Sequence, residues 1–173
     1  SYDFGFELFF NEMNSNFSVT YFDQDINDQI NFSFGVGGYE NIDRVNSKGF
    51  EVALNYQISK PMSLYFNYSY IDSVDGNGSP LFYVAKDSGE AGLIYEINKS
   101  YSGSIIARYN GSESSSYGKI DSWIRLDING SYRFSDNYEL YLRVENLLDK
   151  DYQQIFGYGT PERSGFIGIR TKF

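Results

Sequence analysis

The chain has 173 residues, with 14 Lys and Arg against 23 Asp and Glu, a net charge of −9, and neither Cys nor His. Disulfide scaffolds, thiolate metal sites and histidine-based catalysis are therefore excluded, and an acidic chain of pI near 4.4 is poorly suited to nucleic-acid phosphates. Aromatic residues make up 19% of the chain, almost all Tyr and Phe, whereas an ordinary globular domain is richest in Leu, Ala, Gly and Ser.

Taken in order, the predicted elements share one pattern, a two-residue alternation that marks strands with two unlike faces. Residues 2–10 set Tyr2, Phe4, Phe6, Leu8 and Phe10 against Asp3, Gly5 and Glu7, and a second strand starts at Phe17, Val19 and Tyr21 before turning acidic at Asp23 and Asp25. Residues 52–58 oppose Val52, Leu54, Tyr56 and Ile58 to Ala53, Asn55 and Gln57; residues 62–70 oppose Met62, Leu64, Phe66, Tyr68 and Tyr70 to Ser63, Tyr65, Asn67 and Ser69. The spans 91–97 and 101–109 follow with Leu93, Tyr95, Ile105 and Tyr109 on the apolar side. Ile124 to Phe134, Tyr138 to Val144 and Ile167 to Phe173 complete nine strands, and no apolar row carries a charge within these spans.

A soluble β-sandwich also alternates, because an antiparallel sheet commonly keeps one wet face. Three further features favour a membrane wall. Connectors alternate in length: short turns at 11–16, 59–61, 98–100 and 135–137, long polar segments at about 24–49, 71–89, 110–121 and 145–164, the arrangement of outer-membrane barrels. Phe10, Phe17, Tyr101, Phe134, Tyr138 and Phe173 flank the short turns on the apolar side, where amphipathic rings suit the headgroup layer. A second girdle at the opposite rim is expected from Tyr56, Tyr70, Tyr95 and Tyr109. Strands of about 9–11 residues are also long enough to cross the hydrocarbon when tilted. The fold class expected is all-β, an antiparallel transmembrane barrel wall, with lipid as its outer partner. No apolar run matches a membrane-spanning helix. The chain opens Ser1-Tyr2-Asp3, already strand-like, so an export signal and further sequence are expected upstream.

The last thirty residues add a motif: Val144-Glu145-Asn146-Leu147-Leu148-Asp149-Lys150-Asp151-Tyr152, then Gly157-Tyr158, Pro161-Glu162-Arg163 and a closing strand ending at Phe173. This resembles the C-terminus of TonB-dependent outer-membrane receptors of Gram-negative bacteria. Upstream, Asn41 followed by Gly49 and Glu51 resembles a second segment of that family. Glu162 departs from the family's usual Gly before Arg163, and residues 80–92 depart from its usual Arg/Pro-rich stretch. The family motif residues are thus Asn41, Gly49, Glu51, Asn146, Leu147, Asp149, Tyr152, Arg163 and Phe173. The resemblance implies that residues 1–173 are the C-terminal portion of a 22-stranded barrel of the plugged-lumen type. Plug domain and TonB box are absent from these residues. It also implies partners: the rest of the barrel and its plug, TonB through that plug, and the barrel-assembly machinery through the C-terminal strand. The ending Gly157 to Pro161 is similar to cobalamin receptors and their siderophore-receptor relatives.

No catalytic, cofactor or metal constellation is expected. Glu139 and Glu145 are too far apart along a strand for glycosidase geometry. Asp23, Asp25 and Asp28 lack the spacing of a calcium loop and read as solvated acids. The water-facing row mixes Glu7, Glu51, Glu90, Glu96 and Glu145 with Arg108, Arg125, Arg133, Arg143 and Arg170, which suits a wet or plug-filled lumen. The expected function is active uptake of a ferric siderophore or cobalamin-like ligand. Tyr83, Tyr117, Trp123, Tyr152, Phe156 and Tyr158 are the loop aromatics offered as ligand contacts. A self-contained passive porin or structural barrel, and a soluble sandwich adhesin, are the alternatives; an odd strand number disfavours the former.

Overall fold

The computed structural model describes residues 1–10, 15–33, 35–98 and 100–172. In chain order the strands are β1 (Tyr2–Phe10), β2 (Ser15–Ser33), β3 (Gly38–Ser59), β4 (Met62–Asp75), β5 (Asp87–Ile97), β6 (Tyr101–Asn110), β7 (Glu113–Ser115), β8 (Gly118–Ile120), β9 (Trp123–Ser135), β10 (Tyr138–Glu145) and β11 (Ser164–Thr171). Nine of them form one antiparallel sheet in the order β1-β2-β3-β4-β5-β6-β9-β10-β11, and β7 and β8 make a separate small hairpin. These nine are the nine read from alternation. Among the described residues β1 pairs with β2 alone and β11 with β10 alone, so the sheet is an open wall.

Register carries each face across the whole wall. On the polar face Glu7 lies opposite Ser18, Ser18 opposite Ala53, Ala53 opposite Asn67, Asn67 opposite Glu90 and Glu90 opposite Arg108. On the apolar face Leu64 lies opposite Leu93, Leu93 opposite Ile105, Ile105 opposite Ile128 and Ile128 opposite Val144. A single one-residue slip would exchange the faces of every strand beyond it. The apolar face stays uncovered: Phe4 is 78% exposed and Ile167 74%. Among the described residues, buried hydrophobic side chains are confined to Val45, Ile120, Trp123 and Tyr152, all toward the long-loop rim. A sandwich would bury this row against a second sheet; here the row is left for lipid.

Two expectations need correction. The stretch 24–49 is not a loop. β2 runs on to Ser33 and β3 begins at Gly38, in unbroken register from Asp23 opposite Lys48 to Ser33 opposite Gly38. The outward row loses its apolar residues there because lipid no longer faces it, while backbone pairing continues. The long-loop girdle is also composed differently. Tyr56 lies opposite Leu64, and Tyr95 opposite Met62, which puts both at the short-turn rim. They join Phe10, Tyr101, Tyr132, Phe134 and Tyr138 there, with Tyr101 stacked on Tyr132 at 4.6 Å and Phe134 on Tyr138 at 5.8 Å. Tyr2, Tyr21, Phe50, Tyr70 and Tyr109 form the other girdle, with Phe50 stacked on Tyr70 at 5.6 Å. The expected turn at 11–16 lies mostly outside the described residues, as does Phe173.

The two-faced wall makes a direct prediction. Leu54→Arg or Leu126→Arg is expected to cost about 2–4 kcal/mol near the bilayer midplane, and Asn55→Arg or Asn129→Arg far less. Urea titration of the intact barrel refolded into lipid vesicles checks this; equal losses on both rows would contradict it.

Candidate binding mouth and its anchor

The lumen-facing row carries a continuous chain of charge. The Tyr65 hydroxyl donates to Glu90 Oε1 at 2.5 Å, and Arg108 Nε forms an ion pair with Glu90 Oε2 at 2.6 Å. Arg108 and Arg125 face each other in register, an arrangement that repels by itself. Asp127, two residues beyond Arg125 and only 4% exposed, resolves it by accepting from both: Arg108 on one side, and Arg125 Nη2 at 2.9 Å on the other. Arg125 Nη1 then donates to the Tyr152 hydroxyl at 3.2 Å. Nearer the short turns, Arg133 and Arg170 both pair with Glu139, and Arg143 lies 4.4 Å over the Phe166 ring.

Asp127 also ties this wall to the segment after β10. Its Oδ1 accepts from the Asn146 backbone N–H at 3.0 Å, and the Leu147 N–H donates to the Leu126 carbonyl at 2.7 Å. Asn146, 2% exposed and left-handed at φ 53°, is the hub of that segment. Its Nδ2 donates to the carbonyls of Lys150 at 2.9 Å and Pro161 at 3.3 Å, while its Oδ1 accepts from the Lys150 N–H at 2.9 Å. Asn tolerates the left-handed region better than most residues, and its amide donates and accepts at once. Asp149, at φ 54°, accepts from the Arg163 N–H at 2.9 Å and pairs with its guanidinium at 3.3 Å. Asn146, Asp149 and Arg163 therefore close a loop of their own around residues 147–162.

The upstream motif residues are spread out. Asn41 sits on the ribbon and donates to Asp28 at 3.3 Å. Gly49 lies at the girdle, where a Cβ would stand 1.9 Å from the Tyr70 carbonyl oxygen. Glu51 belongs to the lumen-facing row, opposite Thr20 and Ser69.

Of the loop aromatics, four come together as two pairs. Trp123 and Tyr152 are buried, with ring centroids 4.6 Å apart. Tyr117 stacks on Phe156 at 6.4 Å, so the β7–β8 hairpin leans on the segment after β10. Tyr83 sits apart from these rings and fastens the segment after β4 through its N–H to the Ser114 carbonyl at 2.8 Å. Tyr158 is 70% exposed. Alternation tuned to lipid missed Ile30, Phe32, Val36 and Tyr39, which stand exposed near the end of the ribbon. The continuing even-numbered series Ile26, Ile30, Phe32 was the signal for them.

Charge is also unevenly placed. Segments 23–48, 71–87, 110–122 and 145–163, at and beyond the long-loop girdle, hold 14 carboxylates and six cations, whereas the rest of the chain holds nine carboxylates and eight cations. Eight of the nine net negative charges thus belong to the long-loop end. Hydrogen bonds from Arg44 and then Asn46 hold the Asp25 carboxyl below its ordinary range, so it stays ionised at neutral pH. Asp23, Asp25 and Asp28 do not come together as a metal-binding group among the described residues.

A family model described as "TonB dependent receptor-like, beta-barrel" matches residues 1–147. The chain belongs to that family. Its members are outer-membrane proteins of Gram-negative bacteria. The vitamin B12 transporter BtuB of Photobacterium profundum is 29% identical over 139 residues, which are 77% of this chain and 22% of that protein. The ferric-catecholate import receptor Fiu of E. coli K12 superposes with a TM-score of 0.80 at 20% identity, over 99% of this chain and 27% of Fiu. The ferripyoverdine receptor of Pseudomonas aeruginosa superposes with a TM-score of 0.80 at 15% identity, over 99% of this chain and 27% of that receptor. Those two likenesses establish the fold alone. The chain spans between a fifth and a third of each of these proteins. The family model ends at Leu147, so most of the Asn146 loop and the closing strand rest on the superpositions and on the geometry above.

Asn146→Ala would leave two carbonyls and one N–H of the segment without their partner, each worth about 1–3 kcal/mol if kept from water. The expected result is rapid proteolytic cleavage between residues 147 and 162 in the folded intact receptor, with the sheet itself retained. Cleavage no faster than in the parent protein would show that the loop is held by other contacts.

Proposed function

We propose that this chain is the C-terminal wall segment of a receptor that takes up a ferric siderophore or cobalamin-like ligand across the outer membrane, with energy delivered by TonB through a plug domain. The observation that carries this reading is the wall's division of labour: an uncharged apolar face toward lipid and, behind it, a lumen face that strings Glu90, Arg108, Asp127 and Arg125 into one ion-paired chain. A wide lumen holding a folded plug gives such long charged side chains a partner surface. A narrow self-contained barrel would have space mainly for side chains. Family membership and the likeness to a vitamin B12 transporter support the same reading.

In this proposal the long segments are extracellular and the short turns periplasmic, as is usual for outer-membrane barrels. Tyr117, Phe156, Tyr83 and Tyr158 offer aromatic surface to a ligand, and Trp123 with Tyr152 forms the platform beneath. The edge strands β1 and β11 pair with the rest of the barrel, because open backbone groups in lipid cost several kcal/mol each. The closing strand that ends at Phe173 is proposed as the segment read by the barrel-assembly machinery.

Two measurements test this. Cells expressing the intact receptor should accumulate labelled cyanocobalamin or a labelled ferric siderophore only when TonB is present. Accumulation that ignores TonB would instead favour a passive pore. For topology, Ser116→Cys should react with an impermeant maleimide on whole cells and Ser135→Cys should not; Ser116 is exposed, whereas the adjacent Ser115 is buried and bonded to the Gly118 carbonyl. The opposite labelling pattern would invert the orientation.

A further inference from the structure

The β2–β3 ribbon reverses the polarity of the wall from which it grows. Within the membrane band the outward positions of β2 are Phe17, Val19 and Tyr21, and beyond the girdle the same row reads Asp23, Asp25, Asn27 and Gln29. The row continuous with the lumen face changes the other way. On β2 it passes from Asn16, Ser18 and Thr20 to Ile26, Ile30 and Phe32 with Gln24 and Asp28 among them, and on β3 from Asn55 and Glu51 to Val45 and Tyr39 with Asn41 between. Ile26 meets buried Val45, and Phe32 meets Tyr39 edge-on at 5.5 Å. Ile30 and Tyr39 remain 71% and 78% exposed. Twelve residues of β2 lie beyond Tyr21, roughly 40 Å of extended chain at about 3.3 Å per residue. The ribbon is thus an arm with a charged and polar back and, on the pore side, a front of aliphatic and aromatic side chains divided by the Asp28–Asn41 hydrogen bond.

Charge narrows what that front can receive. The ribbon segment 23–48 holds five carboxylates and two cations, Arg44, which is already paired with Asp25 at 2.9 Å, and Lys48, which lies opposite Asp23. The three other long segments are each net negative as well. A mouth of one sign raises the local concentration of opposite charge and repels its own, by about tenfold or more in association rate at low salt. An apolar and aromatic front adds contact area, and Tyr39 adds a ring face to which cations are drawn.

Resting on the uptake function proposed above, we infer that the β2–β3 ribbon is a cargo-gripping arm, and that arm and mouth together select a neutral or cationic metal complex with an apolar face over an anionic one. The trianionic ferric catecholates fall outside that class; neutral corrinoids and neutral ferric hydroxamates fall within it.

The experiment uses the intact receptor in detergent and three probes: cyanocobalamin, a neutral ferric trihydroxamate and a trianionic ferric tris-catecholate. At low salt, one of the neutral probes should bind at least about tenfold more tightly than the tris-catecholate, with the gap closing as salt screens the mouth over about 10 Å at 0.1 M. Glu40→Lys combined with Asp121→Lys, both exposed, should raise tris-catecholate association several-fold. Ile30→Ser combined with Tyr39→Ser should weaken the preferred neutral probe at least fivefold while the barrel keeps its heat-modifiable migration on gels. Preferential binding of the tris-catecholate would overturn this inference and leave the uptake reading intact. Unchanged affinity in the Ile30/Tyr39 variant would remove the arm from the site. Binding of none of the probes, with no accumulation in cells, would overturn both the uptake reading and the inference that rests on it.

Discussion

The structure depends on one constraint: in hydrocarbon, a backbone N–H or C=O has no water to turn to. Each strand must therefore give its hydrogen bonds to a neighbour, and the neighbour must be in register. Once the ladders are fixed, side chains have a single remaining freedom, the choice of face. Lipid then sorts them. From Phe6 opposite Val19 to Ile128 opposite Val144, the outward face is uncharged across the membrane band. The glycines on the inward face belong to the same logic. Tyr65 lies across Gly92, and Tyr141 across Gly168; a Cβ would stand 2.1 Å from the first ring and 2.5 Å from the second hydroxyl. Each ring covers the weak point that a glycine leaves in a strand.

The Asn146 motif extends that accounting past the end of the sheet. Where β10 stops, the next backbone groups must find partners without a ladder. Asn146 supplies them by standing in for backbone on both sides, and Asp127 supplies one more from within the wall. Asp127 thus serves two Arg side chains and a loop N–H together. The charge that quiets the Arg108–Arg125 contact is the same charge that seats the loop, so disturbing the wall at this point displaces the loop base as well.

Much of this was legible in the sequence, and what was not shares a cause. Alternation located all nine strands of the sheet because lipid imposes a strict two-residue code. The outward code ends at Asp23, and the ribbon to Ser33 looks like loop in the sequence because its apolar residues, Ile26, Ile30 and Phe32, change to the opposite row, out of phase with the lipid-facing one. In sequence a Tyr suits either interface, and only the pairing of Tyr56 with Leu64 and Tyr95 with Met62 places both at the short-turn rim. The loop aromatics were recognisable as a set, but not that Trp123 and Tyr152 are buried together while Tyr117 and Phe156 lean on each other, because contacts between separate loops leave no periodic trace. The motif residues Asn146, Asp149 and Arg163 could be found by resemblance; that they close one loop upon itself required the geometry.

The charge distribution follows from the same sorting and then acts beyond it. Outside the long segments nine carboxylates face eight cations, and within the wall Arg108, Arg125, Arg133 and Arg170 are paired with Glu90, Asp127 and Glu139, as suits a place where the surroundings screen poorly and an unpaired charge is costly. At the long-loop end water screens, and the cost of imbalance falls; that is where the chain holds an excess of eight carboxylates over cations. The excess sets a field at that end which an arriving solute meets before any contact forms. In the arm proposal, cargo charge is tested by the long segments together, and cargo shape by Ile30, Phe32 and Tyr39.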